Sequence, residues 1–310
     1  MALTGTELTY VQPPTPSVVV VVGDYVVAFG ELDTTTPKKL PDTGVCTVTD
    51  LSAPSEASYQ DSTAKSFGGA VAHSDGNVYV EAGDFSSPGF LCRVVPSTGT
   101  FTVMTSANTM SAPYLSCTDY VVGRQAKLHV ATSVVSSFSN GTGTMGNVGD
   151  RIFTANGTTL RELSLPSGTV VNTWTLPAPV TNDTSYRKAR KAARIGTKLY
   201  FPTTDTGRTY VGIDTTTDTI LDMAATPAGF PAWYAGAFSW PGGTVGPISD
   251  SWTAGPDGNL YRLHGPNTLV ITDPATGRWV SETLPTSRTR RYQIVAHGSK
   301  MYLSTGEPIN

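Results

Sequence analysis

Charge is scarce in this chain. Only 15% of its 310 residues are Asp, Glu, Lys or Arg, so solubility has to come from Ser, Thr, Asn and Gly. The formal net charge of −3 supplies no overall pull toward nucleic acid or an anionic membrane, and a nucleic-acid partner is not expected. Cysteine is nearly absent too. Cys46, Cys92 and Cys117 are odd in number and lack ligand spacing, which argues against a disulfide framework and a zinc site and leaves buried free thiols. No metal or cofactor site is indicated. The longest apolar run, Val18 to Val22, is far too short to span a bilayer, and the N-terminus lacks the basic start and apolar stretch of a signal peptide. The expectation is synthesis in a cytoplasm without membrane insertion. Long amphipathic periodicity is also missing. The one helix-favouring stretch, Tyr186 to Ala193, makes about two turns at most.

What is present is repetition. A polar residue, an aliphatic one, an aromatic and another β-former recur just after a tight turn. Strong copies are Asn77-Val78-Tyr79-Val80, Lys198-Leu199-Tyr200-Phe201, Asn259-Leu260-Tyr261-Arg262 and Lys300-Met301-Tyr302-Leu303. Weaker ones start at Asp24, Lys127 and Arg151. The turns before them use Gly or Asp-Gly, as at Gly23, Asp75-Gly76, Gly196 and Asp257-Gly258, because a tight hairpin demands positive φ. A second unit follows most copies: an apolar strand, a small polar turn and another apolar strand, as in Val95 to Phe101, Leu165 to Val170, Ile213 to Ile220 and Ile271 to Trp279.

An inner hairpin followed by an outer hairpin makes a four-stranded unit, and such units repeated along a chain close radially into an all-β propeller. The reading is one domain over residues 1–310, with 1–17 an N-terminal arm. Six blades are favoured and seven are the alternative. Only 24 residues separate the phrases at Lys127 and Arg151, which points to an extra or irregular strand over Lys127 to Val134. The phrase at Lys300 has no outer hairpin after it, so the strand Glu7 to Val11 is expected to pair there and close the ring.

Catalytic constellations are hard to find. The four histidines sit in or beside framework positions, with His129 in the aromatic slot of the phrase and His73 and His297 just before inner turns. Asp42, Asp75, Asp214, Asp257 and Asp273 fall at turns, where carboxylates bond nearby backbone amides. The triplets at Asn140, Asn156 and Asn182 also read as turn chemistry, and Ser139 to Gly149 as a flexible surface connection. No Gly-x-Ser-x-Gly elbow, phosphate loop or His-Glu-x-x-His helix is present, nor are the boxes of sialidase-like propellers.

Two features stand out as binding candidates. Arg187, Lys188, Arg190, Lys191 and Arg194 form one basic cluster and Arg288, Arg290 and Arg291 another. Both fall between an outer hairpin and the next inner phrase, so they can emerge on one side of the ring and face an acidic partner, and a solvated loop that merely holds the chain's few charges is the favoured alternative. The stretch from Phe230 to Trp252 gathers Trp233, Tyr234, Phe238, Trp240 and Trp252 among Gly and Pro. Exposed rings there would suit sugar stacking or a protein interface, and core packing is the competing use.

The opening Met1-Ala2-Leu3-Thr4-Gly5-Thr6-Glu7-Leu8 resembles the start of many tailed-bacteriophage virion proteins, among them tail-fibre, tail-tip and decoration components. The resemblance implies a non-enzymatic virion component whose partners are other virion proteins and, on a receptor-binding face, a host-surface glycan or receptor. Fibre proteins more often use trimeric β-helical or collagen-like repeats, a departure that this chain would represent. Two further functions fit the same residues: a carbohydrate-binding module built on the aromatics and basic loops, and a propeller-type glycan lyase or hydrolase.

Overall fold

The computed structural model describes residues 8–11, 16–23, 25–30, 38–41, 49–50, 65–84, 90–98, 100–105, 114–138, 143–180, 191–203, 208–224, 237–240, 243–247, 252–264, 268–283, 294–297 and 300–304. Strand β1 (Leu8–Val11) opens the chain. A four-stranded antiparallel sheet follows: β2 (Pro16–Val22), β3 (Tyr25–Gly30), β4 (Lys38–Pro41) and β5 (Thr49–Asp50). The next holds β6 (Lys65–Ala72), β7 (Val78–Asp84), β8 (Phe90–Val95) and β9 (Thr100–Val103), and the third β10 (Leu115–Ser116), β11 (Tyr120–Val122), β12 (Ala126–His129) and β13 (Val134–Ser137). Then come β14 (Thr144–Val148), β15 (Arg151–Leu163) and β16 (Val170–Val180), followed by β17 (Ala193–Ile195), β18 (Lys198–Pro202), β19 (Arg208–Asp214) and β20 (Thr219–Ala224). A separate two-stranded sheet, β21 (Ala237–Trp240) and β22 (Gly243–Pro247), precedes β23 (Trp252–Ala254), β24 (Leu260–His264), β25 (Thr268–Thr272) and β26 (Trp279–Thr283). Last are β27 (Ile294–His297) and β28 (Lys300–Ser304), with β1 paired in parallel to β28. Among the described residues no helix is long and apolar enough to cross a membrane.

This is an all-β propeller. Five of its sheets carry four strands, so neither the favoured count of six blades nor the expected closure of the ring is supported. Strand β15 explains part of the miscount. Its first half pairs with β14 and its second with β16, and Arg151 bonds Glu162 through side chains 11 residues apart at 2.6 Å. A straight strand would hold those residues about 36 Å apart. The chain therefore doubles back at Asn156-Gly157, where Gly157 has φ 56.

Three local expectations are corrected. The segment from Lys127 to Val134 is no irregular extra. It belongs to β12, β13 and the turn between them, in a complete sheet that spans only Leu115–Ser137 because its strands are two to four residues long. The phrase of that sheet is Tyr120–Val122, its second strand. The Gly-rich segment read as a surface connection contains β14, an inner strand with Met145 and Gly146 buried. Glycine is required there for approach: a Cβ on Gly146 would stand 2.6 Å from the Ala192 Cβ. Ala192 also donates its amide to the Met145 carbonyl at 2.7 Å. Finally, the helix-favouring stretch ends in extended chain, with Lys191 in a parallel bridge to Met145 and β17 starting at Ala193.

The core is divided among the spaces between neighbouring sheets. Val78, Tyr79 and Val80 are all fully buried. Since successive strand residues point to opposite faces, three buried in a row means both faces are covered. That is why the recurring phrase is continuously apolar and does not alternate. One interface packs Tyr79 and Leu91 against Tyr114, Val121 and Leu128; the next packs Leu115, Val122 and Phe138 against Met145, Ile152 and Leu163. Phe153, Leu160 and Leu176 meet Leu199, Phe201 and Val211, and Tyr200 and Tyr210 meet Leu260. Tyr261 and Ile271 meet Ile294 and Met301. Burying each such side chain contributes about 1.5–3 kcal/mol.

Direction alternates from strand to strand, so the turns joining first to second and third to fourth strands share one end of each sheet. The second-to-third connection and the passage to the next sheet share the other.

Pairing of β1 with β28 runs from Leu8–Met301 to Val11–Ser304. Removal of residues 1–11 is expected to lower the thermal midpoint by several degrees, a loss of 1 kcal/mol being worth about 2–4 °C in a large domain. Scanning calorimetry of the truncated chain checks this, and an unchanged midpoint would show that the pairing adds nothing.

Candidate functional site

The phrase owes its recurrence to a hydrogen-bonded turn. In the sheet of β6 and β7, Asp75 accepts from the Asn77 amide at 3.0 Å, from the Asn77 side chain at 2.9 Å and from the Tyr79 hydroxyl at 2.9 Å. The sheet of β23 and β24 repeats every contact: Asp257 accepts from Asn259 at 3.1 and 2.8 Å and from the Tyr261 hydroxyl at 2.7 Å. Gly76 and Gly258 stand at φ 81 and 79 to make the bend. Burial raises the Asp75 carboxyl, but the bonds from Asn77 and Tyr79 outweigh it and hold it below the ordinary carboxylate value. Burial and the bond to Asp75 push the Tyr79 phenol up. Asp214 and Asp273 cap their turns in the same way, bonding the amides of Thr216 and Ala275.

His73 ties this turn to the neighbouring sheet. Its Nδ1 accepts from the Asp75 amide at 3.2 Å, so the ring hydrogen sits on Nε2, 2.9 Å from the Cys117 carbonyl. The next boundary is held by Asn147, which donates to the Ser116 carbonyl at 2.6 Å, and by Asp150, which accepts from the Thr118 amide at 2.7 Å. Burial pushes the Cys117 thiol up to about 12, making it inert. His129 bonds Thr132 through Nδ1 and meets Tyr120 edge to face. All these groups serve the frame.

Among the described residues, the densest ionic cluster centres on Arg151. Its guanidinium forks onto Glu162 at 2.6 and 3.0 Å, reaches Asp218 at 2.7 Å and donates to the Thr215 carbonyl in the turn between β19 and β20. Asn172 completes the Glu162 carboxylate at 2.7 Å. The Arg151 bond holds Glu162 below the ordinary value, against the opposing effect of burial. Sequence reasoning missed this clamp. Arg151 filled the polar slot of the phrase, and nothing local showed that Glu162 would lie opposite or that the next sheet's turn would meet it.

Of the ten residues expected to bind, Arg187, Lys188, Arg190, Arg288, Arg290, Arg291, Trp233 and Tyr234 lie outside the described residues. Lys191 does not sit on an open rim. Its Nζ donates to the Ala70 carbonyl of β6 at 3.2 Å, 121 residues away, so the side chain reaches across to a sheet other than its own. Part of the side chain stays accessible while the ammonium end is enclosed, and that burial pushes the amine down to about 8. Arg194 faces outward and donates to the Gly196 carbonyl at 2.9 Å. Trp240 ends β21 and is placed on the two-stranded sheet, apart from the four-stranded ones, whereas Trp252 opens β23. Among the described residues no group of three His, Cys, Asp or Glu could hold a metal ion.

No protein-family model matches the chain, and no curated protein matches its sequence. Solved structures do match in shape. The β-propeller domain of Cps50 (Swd1) from Myceliophteria thermophila aligns at TM-score 0.59 and 10% identity over 96% of this chain and 92% of that one. A chain of a mitotic checkpoint complex aligns at 0.55 and 11% identity, again over 96% and 92%. PorZ of Porphyromonas gingivalis, an essential surface component of its type-IX secretion system, aligns at 0.52 and 12% identity over 90% of this chain. The chain spans about a third of PorZ, 34%. These likenesses show the fold.

Two outcomes follow from the geometry. Replacing Asp75 or Asp257 by Ala is expected to cost about 1–2 kcal/mol each in urea unfolding at neutral pH. Because the Asp75 carboxyl is held below its unfolded value, its contribution is present above about pH 4 and fades as pH falls further. The difference between wild type and Asp75→Ala should shrink accordingly. Lys191 has the opposite dependence. Its amine is depressed from 10.5 to about 8, so the folded state binds fewer protons than the unfolded one between those values, and stability gains with rising pH across that window. Lys191→Met should remove that gain, which paired unfolding curves of the two proteins across the window would read directly.

Proposed function

We propose that this chain is a non-enzymatic propeller scaffold that works by docking to other proteins, in the setting of a tailed-phage virion that its opening octapeptide resembles. The observation that carries the non-enzymatic reading is the duplication of the Asp75–Asn77–Tyr79 network as Asp257–Asn259–Tyr261. A carboxylate, amide and phenol repeated in distant sheets with the same geometry serve the frame and leave the surface for contact. The ring counts seven sectors in this reading, the sheet of β14–β16 and the sheet of β27, β28 and β1 being the two that join the five four-stranded ones. Packing of β27 against both β23 and β2 supports it, as does the fold-back in β15. Strand β1 is then the clasp between the two chain ends.

Electron microscopy and mass spectrometry of particles from the source test the placement. The chain should co-purify with particles, and its recovery only from the soluble fraction would end the virion reading. A class average of the isolated protein should display seven lobes.

One observation favours a second reading, a carbohydrate-binding module that includes Trp233, Tyr234 and Trp240. Trp240 lies on a two-stranded sheet that no four-stranded sheet needs for completion. Glycan-array binding that survives Trp233→Ala and Trp240→Ala would remove that site.

A further inference from the structure

Natural proteins blunt the outer strands of sheets with charge, because an open edge is a row of unpaired amides and carbonyls ready to pair with another chain. Here the outer strands differ sharply around the ring. Asp222 lies on β20 and Glu282 on β26. The outer strands of three successive sheets, β9, β13 and β16, carry no charged residue at all. Among the described residues, the same three strands hold the exposed large hydrophobic residues, Val103, Val134, Val170 and Val171. On β16, Val170 and Val171 are 51% and 53% exposed, and Asn172, Thr173 and Thr175 are exposed beside them.

Strand β16 is the longest of the three. Among the described residues only β15 pairs along it, and the far end is occupied by a bridge from Val180 to Thr203. Pro177 and Pro179 lack amide hydrogens and stop any ladder from running into that end. What remains is the proline-free stretch Val170–Thr175, rich in the β-branched residues that pair well across strands.

We propose that Val170–Thr175 is a homodimerisation edge, on which the same strand of a second copy of this chain pairs antiparallel to form a sheet continuous between two propellers. A second copy is the occupant that the symmetry of self-pairing favours. Antiparallel pairing of a strand with itself is self-complementary about a two-fold axis, and that is the symmetry most homodimers use. Each copy has a formal net charge of −3, yet this edge brings no charged residue of its own against its twin. Val170 and Val171, exposed in the single chain, are covered in the pair.

The test uses the full chain in sedimentation-velocity ultracentrifugation over a wide concentration range, with hydrogen exchange at low and high concentration. The expected result is a concentration-dependent dimer in which the amides of Val170–Thr175 gain protection. Val171→Lys and Thr173→Lys should weaken it by at least about tenfold each, because each substitution places a like charge on both strands of the neutral pairing edge, while circular dichroism stays unchanged. A monomer at every concentration overturns the proposal. So does a dimer whose protection falls elsewhere, or one that survives both lysines. Should a lysine variant fail to fold, the exchange pattern of the wild-type chain still decides.

Discussion

Each sheet of this molecule has two faces to bury and only its neighbours to bury them with. That single constraint accounts for the continuous apolar phrase and for a core divided into a series of inter-sheet layers. It also accounts for aromatic residues at the second strand, where Tyr79, Tyr200 and Tyr261 are 4% exposed or less. A tyrosine fills the space between sheets with its ring and keeps its hydroxyl for the turn, so one residue links packing to backbone geometry. Asp75 and Asp257 accept that hydroxyl while capping the bend, which couples the register of a strand to the shape of the turn feeding it.

The polar interactions fall into the same scheme. His73, Asn147, Asp150 and Arg151 each come from an inner turn or the strand beside it and reach the adjoining sheet. Apolar layers fix how closely the sheets approach, and these bonds fix how they are rotated, since hydrogen bonds have direction and apolar contact has little. Lys191 is the exception because it reaches past its immediate neighbour to Ala70. Gly146 permits that path by letting the chain at Ala192 lie against β14.

The architecture was legible because the repeat is written in turn chemistry. Asp-Gly, Asn and Tyr at fixed offsets mark a hairpin whichever sheet contains it, and the outer turns at Pro96, Ser167 and Pro274 are where the sequence places them. The blade count was less legible. Strands of two to four residues in the sheet of β10–β13 fall below the length at which a pattern separates from noise, and β15 hides a reversal behind a single glycine. Glycine itself is ambiguous in sequence: at Gly157 it supplies a bend and at Gly146 it supplies room, and flexibility would look the same. Of the candidate site, Lys191 and Arg194 show why a charge cluster is a poor guide. They stand three residues apart, yet one turns inward to a carbonyl of a distant sheet and the other faces solvent. Direction is decided by which strand the chain joins, and that is settled only when distant sheets meet. The Arg151 clamp was illegible for the same reason.

The arrangement of connections gives the sheets two unequal ends. At one, the carboxylates, positive-φ glycines and buried tyrosines of the Asp75 and Asp257 turns fix the bend, so a changed residue there disturbs the joints between sheets. At the other lie the longer connections, such as the 27 residues between β20 and β23, which include a hairpin of their own. Lineages can therefore rewrite one end while the opposite end holds still, and an engineer grafting a foreign loop would choose the same side.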